Sequence, residues 1–233
     1  MGMHHGIIVA GADIARTVAA LNRRKPQLVL GDGQGSLTTL NLEDEDDGWH
    51  MAVGELDGKT YILDTSMVLS TDPDAIVAMS ADLATVVIGC GAETTSGTYW
   101  FFAADRGRLL RAYWNCYTDM QAPWSLGEPL PVEQEGSLED LDGDGLLAAL
   151  SGFGFDYDRW ASGDDLHELT YSPTDEPGAD NELTRALEEF RLTVAIPEGT
   201  QPQLKVVHRD EGYDIATVPA QKKGGILGFF RRN

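Results

Sequence analysis

Apolar residues near the start of the chain fall first in a continuous run and then at helical spacing. The run Gly6–Gly11 predicts a strand. The next segment, Ala12–Arg24, carries Ile14, Val18 and Leu21 on one helical face and predicts an amphipathic helix. The chain therefore begins with a predicted strand followed by a predicted helix.

A glycine-rich segment follows a second predicted strand, Gln27–Leu30. Gly31–Gly35 invites interpretation as a phosphate loop, which requires a helix directly after the glycines so that its N-terminus faces the anion. The next residues, Ser36–Leu42, are strand-like instead, and no Lys-Ser or Lys-Thr pair follows the glycines. We therefore predict a turn that leads into another strand.

The pattern from Trp49 onward predicts a β-hairpin. Trp49–Leu56 and Lys59–Asp64 flank Asp57-Gly58, a pair that favours a two-residue turn because both central residues of that turn need positive φ. A helix is predicted after the hairpin, with Asp72 as its N-cap, Pro73 at its first position and its end near Leu83.

Three β-rich runs follow this helix and predict an antiparallel meander: Ala84–Gly91, Thr98–Ala104 and Arg108–Trp114. Further along, the two prolines of Gly127–Glu133 predict extended chain. Ser137–Leu150 is predicted to be partly helical, Glu182–Arg191 a helix, and Leu192–Ile196 and Gln203–His208 strands. We predict an α+β fold whose mixed, mainly antiparallel sheet has a central meander at about 84–114, packed by helices in a single main domain.

Charge divides the chain into two regions. The sequence has 17 basic and 38 acidic residues, a net charge of −21. Four of the bases lie in the last stretch, Gln221–Asn233, which has no acid, so the residues before it carry 13 bases against 38 acids, or −25. We predict an acidic α+β domain over 1–220 and a flexible basic and aromatic tail over 221–233.

The acidic domain excludes general nucleic-acid binding, because it would repel phosphates, and it suits a basic protein partner. Two acidic segments, Glu43–Asp47 and Glu133–Asp144, are the predicted contact surface, with tryptophans as aromatic anchors. The predicted partner-binding residues are Glu43, Asp44, Glu45, Asp46, Asp47, Trp49, Trp124 and Glu133. The alternative is that these acids only keep the protein in solution.

The segment 140–145 resembles the opening of a calcium loop, with Asp140, Asp142 and Asp144 at positions one, three and five and a glycine at position six. Its twelfth position is Ser151, whereas the EF-hand has a bidentate Glu there. The alternative is an acidic loop in which an aspartate caps a short helix. We expect no cofactor other than this calcium alternative.

The tail offers a third hypothesis, a membrane-associated scaffold. Phe229 and Phe230 lie between basic pairs, which favours an anionic membrane surface or a partner groove. The alternative is a disordered tail, or one that folds back on the acidic domain. No secretory signal and no run of about 20 apolar residues is present, so we expect a cytoplasmic protein whose only membrane contact would involve residues 221–233.

Cysteines and histidines form no complete catalytic motif. Cys90 and Cys116 fit no zinc pattern, and we expect reduced thiols, with a bridge between neighbouring strands as the alternative. The histidines beyond the terminal pair are scattered singly: His50, His167 and His208. A non-enzymatic protein is therefore the leading hypothesis.

Three segments together resemble a known layout. Glu93–Trp114, with its aromatic strand and Arg108 and Arg111, is followed by Gly127–Glu133 and then by Gly154-Phe155-Asp156-Tyr157. This arrangement resembles uncharacterised bacterial cytoplasmic proteins, including immunity proteins of polymorphic-toxin systems. The resemblance covers roughly 72–160 and implies an α+β fold and a binding role, such as the neutralisation of a basic toxin domain, for example a nuclease. It supplies no catalytic residues.

Overall fold

The structure is a computed structural model that describes residues 4–24, 28–40, 42, 49–116, 124–128, 143–171, 204–208 and 213–217. The helices are α1 Ile14–Asn22, α2 Pro73–Leu83, α3 Gly143–Gly152 and α4 Tyr157–Ala161. The strands are β1 His4–Ala10, β2 Leu28–Gly35, β3 Trp49–Leu56, β4 Lys59–Asp64, β5 Val86–Glu93, β6 Thr98–Asp105, β7 Arg108–Cys116, β8 Trp124–Leu126, β9 Leu166–Tyr171, β10 Leu204–His208 and β11 Tyr213–Thr217.

The described strands form one sheet of 11 strands in the order β11-β10-β8-β7-β6-β5-β1-β4-β3-β9-β2. Neighbouring strands pair antiparallel except β8 and β10, which are parallel. The strands β5, β6 and β7 are consecutive both in the chain and in the sheet. The prediction of an α+β fold with a mixed, mainly antiparallel sheet is confirmed.

Two tight turns show why the local sequence sets the strand register. Asp57 (φ 53°) and Gly58 (φ 71°) both have positive φ, and this turn pairs Leu56 with Lys59 in β3 and β4. The predicted hairpin is therefore confirmed. Arg106 (φ 49°) and the glycine after it form the same kind of turn between β6 and β7.

Helix α2 begins and ends where its sequence predicts. The Asp72 side chain accepts a hydrogen bond from the Ala75 N–H at 3.0 Å, and Pro73 occupies the first helical position. Ala84 takes the left-handed conformation directly after the helix and ends it. Helix α1 is capped in the same way, by Asp13, whose carboxylate accepts from the Arg16 N–H at 2.8 Å.

Both faces of the sheet are buried. One apolar cluster lies on the face covered by α1 and α2 and includes Ile8, Ile76 and Phe102, all essentially inaccessible. The second lies on the opposite face beside α3 and α4 and includes Ile7 and Phe101. Neighbouring strand residues thus contribute to opposite clusters, as the alternation of side chains along a strand requires.

Glycines let an indole ring lie against the sheet on the α1/α2 face. Gly6 and Gly91 are register partners on β1 and β5, and Trp100 of β6 pairs with Gly91. A Cβ at Gly91 would lie 2.4 Å from Trp100 Cζ2, so only glycine permits this approach. Trp100 is 1% exposed and stacks on Trp114 with ring centroids 6.0 Å apart.

Two local predictions are wrong. Gly31–Gly35 belongs to strand β2, where the register to β9 shifts between Leu30 and Gln34, whereas we predicted a turn there. The described part of Ser36–Leu42 is mainly turn instead of strand. Strand β2 pairs with a described strand on one side only, the side facing β9. It can therefore accommodate the glycines as a bulge. The predictions for 129–142, 182–196 and the tail 221–233 lie outside the described residues.

Candidate functional site

The structure describes few of the predicted partner-binding residues. Trp49 is half-buried and packs against the cluster on the α1/α2 face. Trp124 begins β8, where its backbone is in register with Trp114. Glu43, Asp44, Glu45, Asp46, Asp47 and Glu133 lie outside the described residues. The two predicted acidic segments therefore stay predictions.

The possible calcium loop is also described only in part. Asp140 and Asp142 lie outside the described residues, and Asp144 is exposed in the first turn of α3. Because α3 begins at Gly143, Gly145 is already helical, whereas position six of an EF-hand loop makes a sharp turn. Within the described ranges, no group of three or more His, Cys, Asp or Glu side chains could hold a metal ion.

Exposed aspartates are frequent in α3 and α4 and in the loops beside them. Five of them are exposed between residues 143 and 165, and we name them the acidic helical face: Asp144, Asp156, Asp158, Asp164 and Asp165. The sequence over this range has one base, Arg159, which bonds Asp57 at 2.8 Å. Apart from Asp144, the sequence analysis predicted none of them as a site residue. The scarcity of bases in this range was the signal that could have revealed them.

Aromatic packing holds α4 against the sheet. Trp160 is 2% exposed and stacks on Tyr61 of β4, with centroids 5.5 Å apart and rings 13° from parallel. Its indole reaches β3 at Gly54, where a Cβ would lie 2.6 Å from Nε1. Phe155 meets Tyr61 edge to face at 5.8 Å. The apolar side of α4 thus faces inward, and its aspartates face solvent.

Polar contacts fix the same segment at its start. The Tyr61 hydroxyl accepts from the Asp156 N–H at 2.9 Å. Lys59 donates to the Gly154 carbonyl at 2.5 Å and lies over the Phe155 ring, 5.5 Å from its centroid. Asp156 in turn caps α4 by accepting from the Arg159 N–H at 3.1 Å. The acidic helical face is therefore positioned by specific bonds to the β3–β4 hairpin.

A second polar cluster lies where β1 meets α4. His5 stacks on Tyr157, whose hydroxyl is 3.1 Å from His5 Nε2. Burial, with a smaller contribution from neighbouring His4, lowers the pKa of His5 to about 4. Burial raises the pKa of Tyr157 and that of Cys90 to about 12 each. Near pH 7 these groups are neutral, and the Cys90 thiol is poorly suited to act as a nucleophile.

The neighbouring β5–β6 turn carries a strongly acidic carboxyl group. The Ser96 N–H and the Thr95 N–H donate to Glu93 at 2.6 and 2.9 Å. A hydrogen bond from the Ser96 side chain, followed by these two backbone bonds, lowers the pKa of Glu93 to about 2. His4 Nδ1 is 3.0 Å from the same carboxylate. Glu93 thus organises the turn and ties it to the start of β1.

Strands β3 and β9 bring together a third pair. His50 Nδ1 lies 2.5 Å from Glu168 Oε1, and Thr65 donates to the His50 carbonyl at 2.6 Å. On the other face, Gln34 Nε2 is 3.3 Å from His167 Nε2. The sequence analysis noted both histidines but missed Glu168, because only the β3–β9 pairing brings it near His50.

The two cysteines are unbridged. Cys90 lies on β5 and Cys116 on β7, with β6 between them. The hydroxyl of Thr98 donates to Cys116 Sγ at 3.1 Å. The expected reduced thiols are therefore found, and the disulfide alternative is not formed.

None of the four described helices has the length and hydropathy needed to cross a membrane. The contacts described above define the candidate site as a surface of exposed carboxylates. An aromatic and hydrogen-bonded layer presents this surface, and the buried, neutral groups His5, Tyr157 and Cys90 lie beside it. Comparison with known protein families, curated proteins and solved structures found no significant match to this chain.

Proposed function

We propose that this protein is a binding module that engages a basic protein partner through the acidic helical face. The observation that supports the proposal is the exposure of five aspartates in and directly beside α3 and α4, a range whose single arginine, Arg159, is already paired with Asp57. Such a surface attracts a positively charged partner, raises the association rate and disfavours acidic competitors. The sheet with its β5–β7 meander, packed by helices, is the scaffold that presents this face.

The proposed partner class is that of the resemblance noted in the sequence: a basic toxin domain, such as a nuclease, that an immunity-type protein neutralises. This role is non-enzymatic, needs no cofactor and places the protein in the cytoplasm. Direct nucleic-acid binding has no part in it, because the charge of −21 would repel phosphates. In this proposal membrane contact is limited to the tail 221–233.

A charge-swap pair tests the surface. Asp158→Lys/Asp165→Lys changes two carboxylates of the acidic helical face and leaves the α4 cap, Asp156, in place. Asp82→Lys/Asp105→Lys makes the same change in net charge elsewhere. The partner is first captured from native lysate at low and high salt and identified by mass spectrometry, and association rates are then measured with the purified partner.

We expect a stoichiometric basic partner that is lost at high salt, and an association rate that falls about tenfold or more for the first variant. The control pair should lower the rate less, since its charges lie outside the contact. Equal effects of the two pairs would show that overall charge, and not this face, directs binding. The absence of any specific basic partner would contradict the proposed function itself.

A further inference from the structure

Strand β2 is the outermost described strand on its side of the sheet. On its outer edge, a side chain hydrogen-bonds the backbone groups of one residue. The Asn22 side chain, at the end of α1, accepts from the Leu28 N–H at 2.9 Å and donates to the Leu28 carbonyl at 3.1 Å. One side-chain amide thus takes the place of a neighbouring strand at Leu28. Its bonds also show that the Leu28 backbone groups point away from β9.

Backbone direction alternates along an antiparallel strand, so the next residue faces β9 and the one after it faces outward. Val29 pairs with Thr170 of β9, and the Thr170 hydroxyl donates to the Val29 carbonyl at 3.3 Å. The N–H and C=O of Leu30 therefore point to the outer edge. Among the described residues, no loop or turn backbone bonds either group.

Side-chain exposure at this edge is unusual for the molecule. Within the described ranges, the large hydrophobic residues that are exposed are Val29 (61%) and Leu30 (38%), and both lie here. Proteins usually cover, charge or distort such an edge because it can pair with another chain. The irregular register over 31–33 limits the regular part of β2 to a short segment, which suits a short added strand.

We propose that the edge of β2 at Leu30 binds an extended segment of the basic partner as an added β-strand. This inference rests on the proposed function and specifies how part of the partner is engaged. Charge disfavours a second copy as the occupant, because two chains with a net charge of −21 repel each other, whereas a basic segment is attracted. Exposed Asp32, two residues from Leu30, adds local negative charge. Backbone hydrogen bonds would supply affinity in this mode of recognition.

The probe is a synthetic peptide of alternating lysine and valine, seven residues long and blocked at both ends. Its control has the same side chains but carries N-methyl groups on alternate backbone nitrogens, so that it cannot pair along an edge. Leu30→Pro removes the outward N–H while the Val29 contacts with β9 stay possible. Leu30→Thr keeps that N–H and is the matched variant. Binding is followed by fluorescence anisotropy on the full chain.

We expect Leu30→Pro to weaken peptide binding at least about tenfold, as the loss of edge hydrogen bonds requires, and Leu30→Thr to weaken it less. The N-methylated peptide should bind the unaltered protein at least about tenfold more weakly than its parent. This second measurement does not depend on the folding of the proline variant, whose melting curve is recorded in parallel.

Equal binding of the two peptides would overturn the edge proposal, since charge alone would explain it, and would leave the proposed function standing. The edge proposal would also be overturned, and the proposed function left standing, if neither peptide binds while a basic partner is captured whose association rate falls with Asp158→Lys/Asp165→Lys. Failure of both the peptide and the capture would overturn both proposals. A dimer of the unaltered chain that Leu30→Pro dissociates, measured by analytical ultracentrifugation, would identify a second copy as the occupant and overturn the choice of a basic segment.

Discussion

The two helical layers of this protein differ in charge. The α1/α2 layer has four acids, Asp13, Asp72, Asp74 and Asp82, and three bases, Arg16, Arg23 and Arg24, over residues 13–24 and 72–84, a difference of one. The α3/α4 layer has five acids and one base over residues 143–165, a difference of four. One layer is close to balanced and the other is strongly negative, although both cover the same sheet.

The layers also differ in how they are attached. Helix α2 packs through fully apolar residues such as Ile76 and Met79, both 0% exposed, onto a surface built around glycines. Helix α4 adds polar bonds to its aromatic contact: Asp156 to Tyr61 and Tyr157 to His5. Apolar burial is non-directional, whereas hydrogen bonds fix orientation. Directional bonds also hold the first layer, since the Gly107 N–H donates to Ser80 Oγ of α2 at 2.9 Å and Asn22 of α1 bonds Leu28. The layers therefore differ in what those bonds position: those of α4 orient exposed aspartates, whereas the first layer presents a nearly balanced surface.

The largest expected effect on stability comes from adding a methyl group at a closely packed glycine, and one such glycine lies on each face of the sheet. Gly91→Ala would put a Cβ 2.4 Å from Trp100 Cζ2 and 2.6 Å from the His5 carbonyl, which is backbone and cannot easily move. We expect the free energy of unfolding to fall by about 3 kcal/mol. Gly54→Ala meets only side chains, Leu166 and Trp160, and should cost less, about 1–2 kcal/mol. Chemical denaturation measures both.

Gly33→Ala is the matched control, because nothing lies within 4 Å of its added Cβ. Its effect should stay within about 0.5 kcal/mol. Hydrogen exchange separates the layers: Gly54→Ala should speed exchange in α4 more than in α2. A larger loss of stability for Gly54→Ala than for Gly91→Ala would reverse the assignment of roles to the two faces.

Local signals in the sequence account for the elements that were predicted well. Asp57-Gly58 determines a hairpin because both residues accept positive φ, and Asp72-Pro73 determines a helix start through a cap and a fixed φ. These signals act within a few residues and need no knowledge of the fold. The α+β class followed from the same short-range patterns.

Long-range pairing accounts for what was missed. β9 joins β3 on one side and β2 on the other, across more than 100 residues of chain, and this pairing alone brings Glu168 to His50. The glycines of β2 read as a turn because a bulged strand and a turn share the same composition. The acidic helical face was not predicted, because which aspartates of 143–165 are exposed depends on how α3 and α4 pack against the sheet.

A smaller effect is expected when pH acts on the contact between β1 and α4. The pKa of His5 is lowered from 6.5 to about 4 in the folded protein, mainly by burial. Between these values the unfolded chain binds more protons than the folded one, so stability falls as pH decreases from about 6.5 to about 4. One histidine gives a slope of at most about 1.4 kcal/mol per pH unit. Denaturation midpoints over this range measure it.

His5→Gln provides the comparison, since an amide can still meet the Tyr157 hydroxyl but does not titrate. Its stability should depend less on pH between 6.5 and 4 than that of the unaltered protein. Glu93 loses its contribution at lower pH, from 4.5 towards about 2, because its pKa is lowered in the folded state. An unchanged slope in His5→Gln above pH 4.5 would show that His5 does not couple the layer to protonation.

The smallest expected effect isolates a single polar anchor of the acidic layer. Tyr61→Phe removes the hydroxyl that accepts from the Asp156 N–H but keeps the ring that stacks on Trp160. We expect a loss of about 1 kcal/mol in the free energy of unfolding, the usual net value of one hydrogen bond. Hydrogen exchange gives the specific readout: the Asp156 amide should exchange faster, while the Arg159 amide, which donates to the Asp156 side chain, should change less. Equal acceleration of both amides would mean that the whole helix loosens, and that the Tyr61 hydroxyl stabilises packing without orienting the acidic helical face.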